Sequence, residues 1–197
     1  IRGTAAERLA MTTTTAVPQT HYKELGKATV SGSNVDTITI DFTTAKENLM
    51  IISYCPSMAN GGTSLYHRFG DVASGSGLDS GTNYASTRGD NGGNDENTGS
   101  GGASGMLLSN DHMEAGAFGI TYIKNYAAQE KLVITHSVQN RNTGSGGYSG
   151  RAMPYRTETT GKWVNTANQI TIASFRAHYG TDPLPAGSQI IVLGCDD

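Results

Sequence analysis

The feature that most limits this chain is a succession of short strand-like runs separated by clusters of turn-forming residues. The runs are rich in Ile, Val, Thr, Tyr and Phe, which favour β-strands, and the clusters contain Gly, Ser, Asn, Asp and Pro, which favour turns. The runs occupy residues 38–42, 48–54, 65–69, 83–88, 105–108, 118–123, 131–138, 153–163, 169–175 and 189–194. About eight to ten short strands with no helical pattern beyond residues 5–10 predict an all-β, antiparallel β-sandwich, jelly-roll-like in its strand count.

Alternation along these runs assigns side chains to faces. Ile38, Ile40 and Phe42 fall on one face of their run. Residues 131–138 also alternate, and their apolar set falls together on one face: Leu132, Ile134, His136 and Val138. Residues 48–54 and 189–194 are apolar on both faces, so each needs cover on both sides of its sheet. A loop, an N-terminal arm or a second subunit would provide that cover, which makes a homo-oligomer a natural expectation.

Residues 1–21 differ from the rest and are predicted to form an extended N-terminal arm, followed by a single domain over residues 22–197. The run AAERLAM has the composition of one or two helical turns, but four threonines and Pro18 stop it. The arm has too little apolar surface to fold alone. We therefore expect it to lie on the domain or on a neighbouring subunit, and its deletion to leave a folded protein that assembles less well.

Composition argues against several classes of function. The net charge is −3, and the Lys and Arg residues are scattered singly, so no basic stripe predicts a nucleic-acid partner. No apolar run approaches the length of a membrane span, which predicts no membrane insertion. The two cysteines, Cys55 and Cys195, allow one disulfide at most, and two free thiols are the alternative. No cofactor is predicted.

The sequence lacks the nucleophile elbow, the phosphate-binding loops and the paired-histidine metal motifs that mark common enzymes. His67 and His136 fall on apolar strand faces, which favours a core or interface role over catalysis. The sequence therefore predicts a protein that is not an enzyme. A polysaccharide depolymerase with two loop carboxylates is the less favoured alternative.

Residues 89–105 contain no large apolar side chain, and they are predicted to form one long loop between two strands. Asp90, Asp95 and Glu96 offer oxygen ligands of the kind that calcium prefers, with Asp71 or Asp79 as a further carboxylate. The simpler interpretation is a solvated polar loop. Loops of this length are usually functional or disordered.

Exposed aromatic rings beside polar groups bind sugars by stacking, and three residues are candidates for such a glycan contact. Tyr84 and Arg88 lie on one predicted strand, and Tyr148 lies in a glycine-rich segment. A cross-strand pair for Tyr84 and a loop tip for Tyr148 are the alternatives.

Several segments together resemble a group of small structural proteins found in tailed phages and in environmental, largely marine, viruses. They are EKLVITHSV at 130–138, the glycine-rich loop NTGSGG after it, TETTGKWVNTANQITI at 157–172 and AGSQIIVLG at 186–194, with RFGD at 68–71, GTNYAS at 81–86 and the opening GTAAERLAM. The resemblance covers roughly residues 3–194. It implies a β-sandwich virion component present in many copies, with no catalytic residue to carry over.

Together with the pattern of the residues, the resemblance implies a non-enzymatic virion structural protein: a capsid decoration, a capsid-associated protein or a tail or fibre component, expected in the extracellular particle. The expected partners are further copies of itself and other virion proteins. The alternative is a host-recognition module, a tail-fibre or adhesin tip that binds surface glycans.

Overall fold

A computed structural model describes residues 21–58, 64–72, 77–91, 96–103, 105–109, 116–139, 154–177 and 183–196, with residues 96–103 described by their backbone. Over these residues the protein is all-β and contains no helix. The predicted fold class is confirmed. Of the predicted arm, residues 1–20 lie outside the described residues, and His21 is exposed just before the first strand.

Thirteen strands are present in the described part of the chain. They are β1 Lys23–Thr29, β2 Thr37–Asp41, β3 Asn48–Cys55, β4 Leu65–Asp71, β5 Gly77–Leu78, β6 Tyr84–Asp90, β7 Glu96–Ala103, β8 Met106–Ser109, β9 Ala117–Lys124, β10 Lys131–Gln139, β11 Tyr155–Trp163, β12 Ile172–Ala177 and β13 Gln189–Cys195. All ten predicted runs overlap a strand, and β1, β5 and β7 are the strands that the sequence did not predict.

The strands form two antiparallel sheets that pack face to face. The larger sheet has eight strands in the order β1-β13-β3-β9-β10-β11-β6-β7, and the smaller has β2-β12-β4-β5, with β8 beside β5 on the same edge of β4. Without β5, β6, β7, β10 and β11, the layers read β1-β13-β3-β9 and β2-β12-β4-β8. This is the jelly-roll strand order, and two insertions widen its first sheet.

The core lies between the sheets and takes one face of each strand. Leu49 and Ile51 from β3, Val192 from β13 and Phe175 from β12 are fully buried there. On β2, Ile38 and Ile40 face the core, as the alternation predicted. The inserted strands join this core through an aromatic cluster, in which Phe69 lies 6.0 Å from the ring of Tyr84 and 6.3 Å from that of Trp163.

Neither cysteine forms a disulfide. Cys55 is buried at the end of β3, and Cys195 is half-buried at the end of β13. Among the described residues, no helix is long and apolar enough to cross a membrane.

Candidate functional site

The segment predicted as one long loop, residues 89–105, instead contains the end of β6 and, in its described part, the strand β7 at Glu96–Ala103. Strand β7 pairs with β6, so that Arg88 lies opposite Glu96 and Thr87 opposite Asn97. Asn91 begins the turn with a φ of 51°, a left-handed conformation that asparagine tolerates. The prediction failed because pairing at a sheet edge uses backbone groups, and Gly, Ser and Asn side chains do not prevent it.

Of the three calcium candidates, Asp90 is the one whose side chain the structure describes. Asp90 is already engaged, since the Thr157 hydroxyl donates to one carboxylate oxygen at 2.8 Å and Arg88 Nε lies 3.3 Å from the other. Asp95 lies outside the described residues, and only the backbone of Glu96 is described. Within the described ranges, no group of three or more His, Cys, Asp or Glu side chains is placed to hold a metal ion.

Of the three glycan candidates, the structure describes Tyr84 and Arg88, and neither is well exposed. The exposure predicted for Tyr84 is wrong: the ring is 1% exposed, because its strand turns it inward against Phe69 and Trp163. Its hydroxyl accepts the Phe69 N–H at 2.9 Å and donates to the Asp79 carbonyl at 3.1 Å, and burial raises its pKa. Arg88 is largely buried beside Asp90, and Tyr148 lies outside the described residues.

A polar depression of about 350 Å³ lies beside this aromatic cluster, with Asp79 at its centre. The Asp79 carboxylate accepts hydrogen bonds from Trp163 Nε1 at 2.7 Å, from Asn83 Nδ2 at 2.9 Å and from the Gly81 N–H at 2.8 Å. Burial alone would raise the pKa of Asp79, but these hydrogen bonds outweigh it and hold that pKa below its usual value. Asp79 therefore fixes the turn before β6 and orients Trp163.

His67 lies in the core between the two sheets. Its Nδ1 is 3.0 Å from the Ser174 carbonyl and its Nε2 is 3.4 Å from the Ser53 hydroxyl. Burial lowers its pKa to about 4, although the hydrogen bond to Ser174 opposes the shift. The residue is a neutral core histidine, as its place on an apolar strand face predicted.

The strongest candidate for a binding surface in the described part of the chain is the outer side of the eight-stranded sheet. Four adjacent strands, β13, β3, β9 and β10, present apolar side chains there in register. We call this set the outer face: Met50, Ile52, Tyr54, Phe118, Ile120, Tyr122, Leu132, Ile134, Val138, Ile191 and Leu193. Leu132 is 60% exposed, and Tyr54 and Phe118, which lie opposite each other, are each 46% exposed.

The inner side of β10 is mostly polar. Its buried side chains are Lys131, Thr135, Ser137 and Gln139 with one apolar residue, Val133, while Leu132, Ile134 and Val138 point to solvent. The buried polar groups are paired: Thr135 Oγ1 lies 3.0 Å from that of Thr121, and the Ser109 hydroxyl donates to Gln139 at 2.6 Å. Lys131 Nζ donates to the carbonyls of Gln129 and Asn165 at 2.6 and 2.9 Å, and burial lowers its pKa. The exposed apolar set is therefore a property of the native strand register.

Charged residues border the outer face on both sides. On β1, Lys27 lies opposite Ile191, and Glu24 lies opposite Leu193. On β11, Glu158 lies 3.5 Å from His136. Lys162 is bonded to Glu130 at 2.7 Å. An apolar centre with a polar rim is the usual anatomy of a protein–protein interface.

The outer face is large enough to form much of a protein–protein interface. Strands about 4.8 Å apart with a rise of about 3.4 Å per residue give four strands of seven residues a patch of roughly 450 Å². Inclusion of the two charged border strands raises the estimate to about 700 Å², close to the roughly 800 Å² that each partner contributes to a standard interface. A soluble partner of similar width would therefore fit this sheet.

The sequence contained part of the signal for this surface. Residues 48–54 and 189–194 were predicted to be apolar on both faces, and β3 and β13, two interior strands of the larger sheet, bury one face and contribute the other to the outer face. The contributions of Phe118 and Tyr122 from β9 were not identified, because the face of a strand depends on the register of its neighbours.

The chain was compared with family models, with curated proteins and with solved structures, and no significant match was found in any of the three.

Proposed function

We propose that this chain is a non-enzymatic structural protein of a virion, which self-associates in many copies through the outer face. The observation that carries the proposal is the apolar, partly exposed centre of the eight-stranded sheet between two charged border strands. The jelly-roll order supports it, because this architecture is frequent in capsid proteins. Fold alone does not determine function, so the greater weight rests on the surface.

The energetics are consistent with association that depends on several contacts. The loss of translational and rotational freedom costs about 4–15 kcal/mol per association, so buried apolar area alone does not set the affinity of one contact. A closed symmetric assembly gives each subunit more than one such contact.

Size-exclusion chromatography with light scattering tests the self-association. We expect the native chain to form an oligomer and Phe118→Glu or Ile134→Glu to yield monomers, because each places a carboxylate in the apolar centre. Thr160→Glu is the matched control: Thr160 lies opposite Ile134 on the same face but on the charged border strand. A native chain that stays monomeric at high concentration, or a control as disruptive as Ile134→Glu, would contradict the proposal.

Electron microscopy of the purified oligomer tests the virion assignment. We expect particles, rings or sheets in which the chain repeats with closed symmetry or as a regular lattice. Immunogold labelling of virions, purified from a sample in which an antibody against the chain detects it, then asks whether the chain is on the particle. Irregular aggregates alone, or purified virions that lack the chain, would argue against a virion role.

One observation favours the glycan-binding alternative. Tyr54 and Phe118 lie opposite each other on neighbouring strands, and both rings are partly exposed. Rings in this arrangement suit a sugar stacked across the sheet. Saturable binding on a glycan array that is lost in Tyr54→Ala, from a protein that remains monomeric, would favour host recognition over assembly.

A further inference from the structure

The outer edge of the smaller sheet is open along β2. Phe42 donates its N–H to Thr171 on the β12 side, and the register between β2 and β12 continues without a shift from Asp41 to Thr37. Backbone groups alternate between the two sides of an antiparallel strand. The N–H and C=O groups of Thr37, Thr39 and Asp41 therefore point away from β12, where the described residues place no further strand.

The other sheet edges have features that discourage strand addition. β1 has charged side chains at Lys23, Glu24 and Lys27 and a register shift at its start. The edge beyond β4 is formed by β5 and β8, of two and four residues. The register of β7 is also irregular. β2 has neither a shift nor a proline, and within TITID its one charge is the last residue.

A cleft of about 330 Å³ accompanies this open edge. It lies where β1 ends and β2 begins, and its walls contain Val30, Val35 and Ile38 together with small hydroxyl residues. At the other end of β2 the two sheets close, because Gly26 packs directly against Ile40. A strand added along β2 would thus place its inward side chains beside an apolar cleft at one end.

We propose that residues 11–17 of the N-terminal arm, MTTTTAV, add as a strand to the open edge of β2, in the same subunit or in a neighbouring one. Residues 1–20 lie outside the described part of the chain, which begins at His21, two residues before β1. Five residues between Val17 and Lys23 reach up to about 20 Å. Packed sheets lie about 10 Å apart, so the arm is long enough to pass from β1 to the edge of β2.

The composition of the segment suits this position. Threonine and valine favour strands, and alternating Thr and Ile in β2 would meet Thr residues across the new pair. The segment contains no charge and no proline before Pro18, which would end the strand where the arm must turn toward β1. Met11 and Val17 lie on the same side of an extended segment, about 20 Å apart, so one of them supplies an apolar side chain for the cleft at one end of β2.

Amide hydrogen exchange followed residue by residue tests the proposal. The full chain is compared with a chain that begins at His21, and the amides of Thr37, Thr39 and Asp41 are monitored. We expect exchange at these amides to be at least about tenfold slower in the full chain, because strand pairing protects amides from solvent. A synthetic peptide of residues 9–18 should restore that protection saturably when added to the shortened chain.

A pair of proline variants of the shortened chain identifies the edge. Thr39→Pro removes an N–H that points away from β12. Lys27→Pro removes an N–H that points away from β13, because Val30 bonds to Ser188 just before β13 and backbone groups alternate along β1. Peptide binding should be lost in Thr39→Pro and kept in Lys27→Pro. Circular dichroism confirms that both variants are folded.

Three outcomes would overturn the proposal. These are equal exchange at β2 in the full and shortened chains, peptide binding that survives Thr39→Pro, and β2 protection that depends on protein concentration but not on the arm. The last result would instead indicate that two copies pair through their β2 edges. The test is separate from that of the outer face, since Phe118→Glu should abolish oligomers without change in peptide binding.

Discussion

Strands β2 and β10 both alternate apolar and polar side chains, but β2 turns its apolar side chains toward the core and β10 turns most of its own toward solvent. β2 buries Ile38 and Ile40 and exposes Thr39. β10 buries Thr135 and exposes Ile134 at 48%. Alternation thus identifies a strand with one apolar face in both cases, but it does not say whether that face meets the core of the subunit or another partner.

The cause of the difference lies in what each strand meets across the sandwich. The inner side of β2 meets apolar atoms, with Ile40 against Gly26. The inner side of β10 has hydroxyl and amide groups that pair with neighbours, such as Thr135 with Thr121. A paired hydroxyl is tolerated in a core, whereas an unpaired one costs about 1–3 kcal/mol. This polar lining allows β10 to direct its apolar side chains outward.

The largest effect is expected from the same substitution on the two strands. Ile40→Asp places a carboxylate without a partner in the core and should lower the free energy of unfolding by more than about 4 kcal/mol. Ile134→Asp should cost no more than about 1 kcal/mol, because the side chain reaches solvent. Urea denaturation at a concentration where the chain is monomeric measures both.

Equal losses in the two variants would mean that Ile134 is covered within its own subunit. That result would remove the distinction between the faces, and with it the main support for an interface on the outer face.

The two histidines extend the comparison to pH. His67 belongs to the inner side, with a pKa of about 4 instead of the usual 6.5, and His136 belongs to the outer side. Between these two pH values the unfolded chain binds more protons at His67 than the folded chain does, so stability falls as the pH falls from 6.5 to 4 and is level below 4. The expected loss from this residue is about 3 kcal/mol.

Urea denaturation at several pH values measures this loss. His67→Gln should flatten the decline between pH 6.5 and 4. If this variant declines as steeply as the native protein, the pH dependence arises elsewhere and His67 is not the group responsible.

The sequence predicted which residues form strands better than it predicted which strands lie side by side. Runs such as residues 48–54 were recognised because apolar and β-branched residues dominate them. β1 and β7 were missed, since KELGKAT is charged and ENTGSGGA has no apolar face. Their pairing comes from backbone groups at sheet edges, which the side-chain pattern does not encode.

The exposure of the candidate site residues was harder to predict than the strands, because it depends on tertiary structure. Tyr84 was nominated as an exposed ring, yet its register places it beside Trp163 in the core. Phe118 likewise lies near the start of its strand, yet it is 46% exposed. A single residue of register reverses every side chain of a strand, so no local pattern separates these two aromatic residues.

A smaller effect is expected from the hydroxyl pair that lines β10. Thr121→Val or Thr135→Val alone should lower the free energy of unfolding by about 1–2 kcal/mol, because each leaves the other hydroxyl buried and unpaired. The double variant should cost less than the sum of the two, since both hydroxyls are replaced by methyl groups of similar shape. Strict additivity in the double-mutant cycle would show that the two hydroxyls do not interact.

The smallest effect is expected on the charged border strand beside β10. Lys162 lies opposite Leu132 and bonds to Glu130 at 2.7 Å, and both charged side chains are about two-fifths exposed. Such exposed pairs contribute little, so Lys162→Ala should change the free energy of unfolding of the monomer by less than about 0.5 kcal/mol, and by less still in high salt. If the same variant weakens the oligomer markedly in sedimentation measurements, the Lys162 side chain contributes to association and is not needed for the stability of the monomer. A loss of several kcal/mol in the monomer would instead show that this ion pair stabilises the fold of the subunit, as the core does, and not mainly its association.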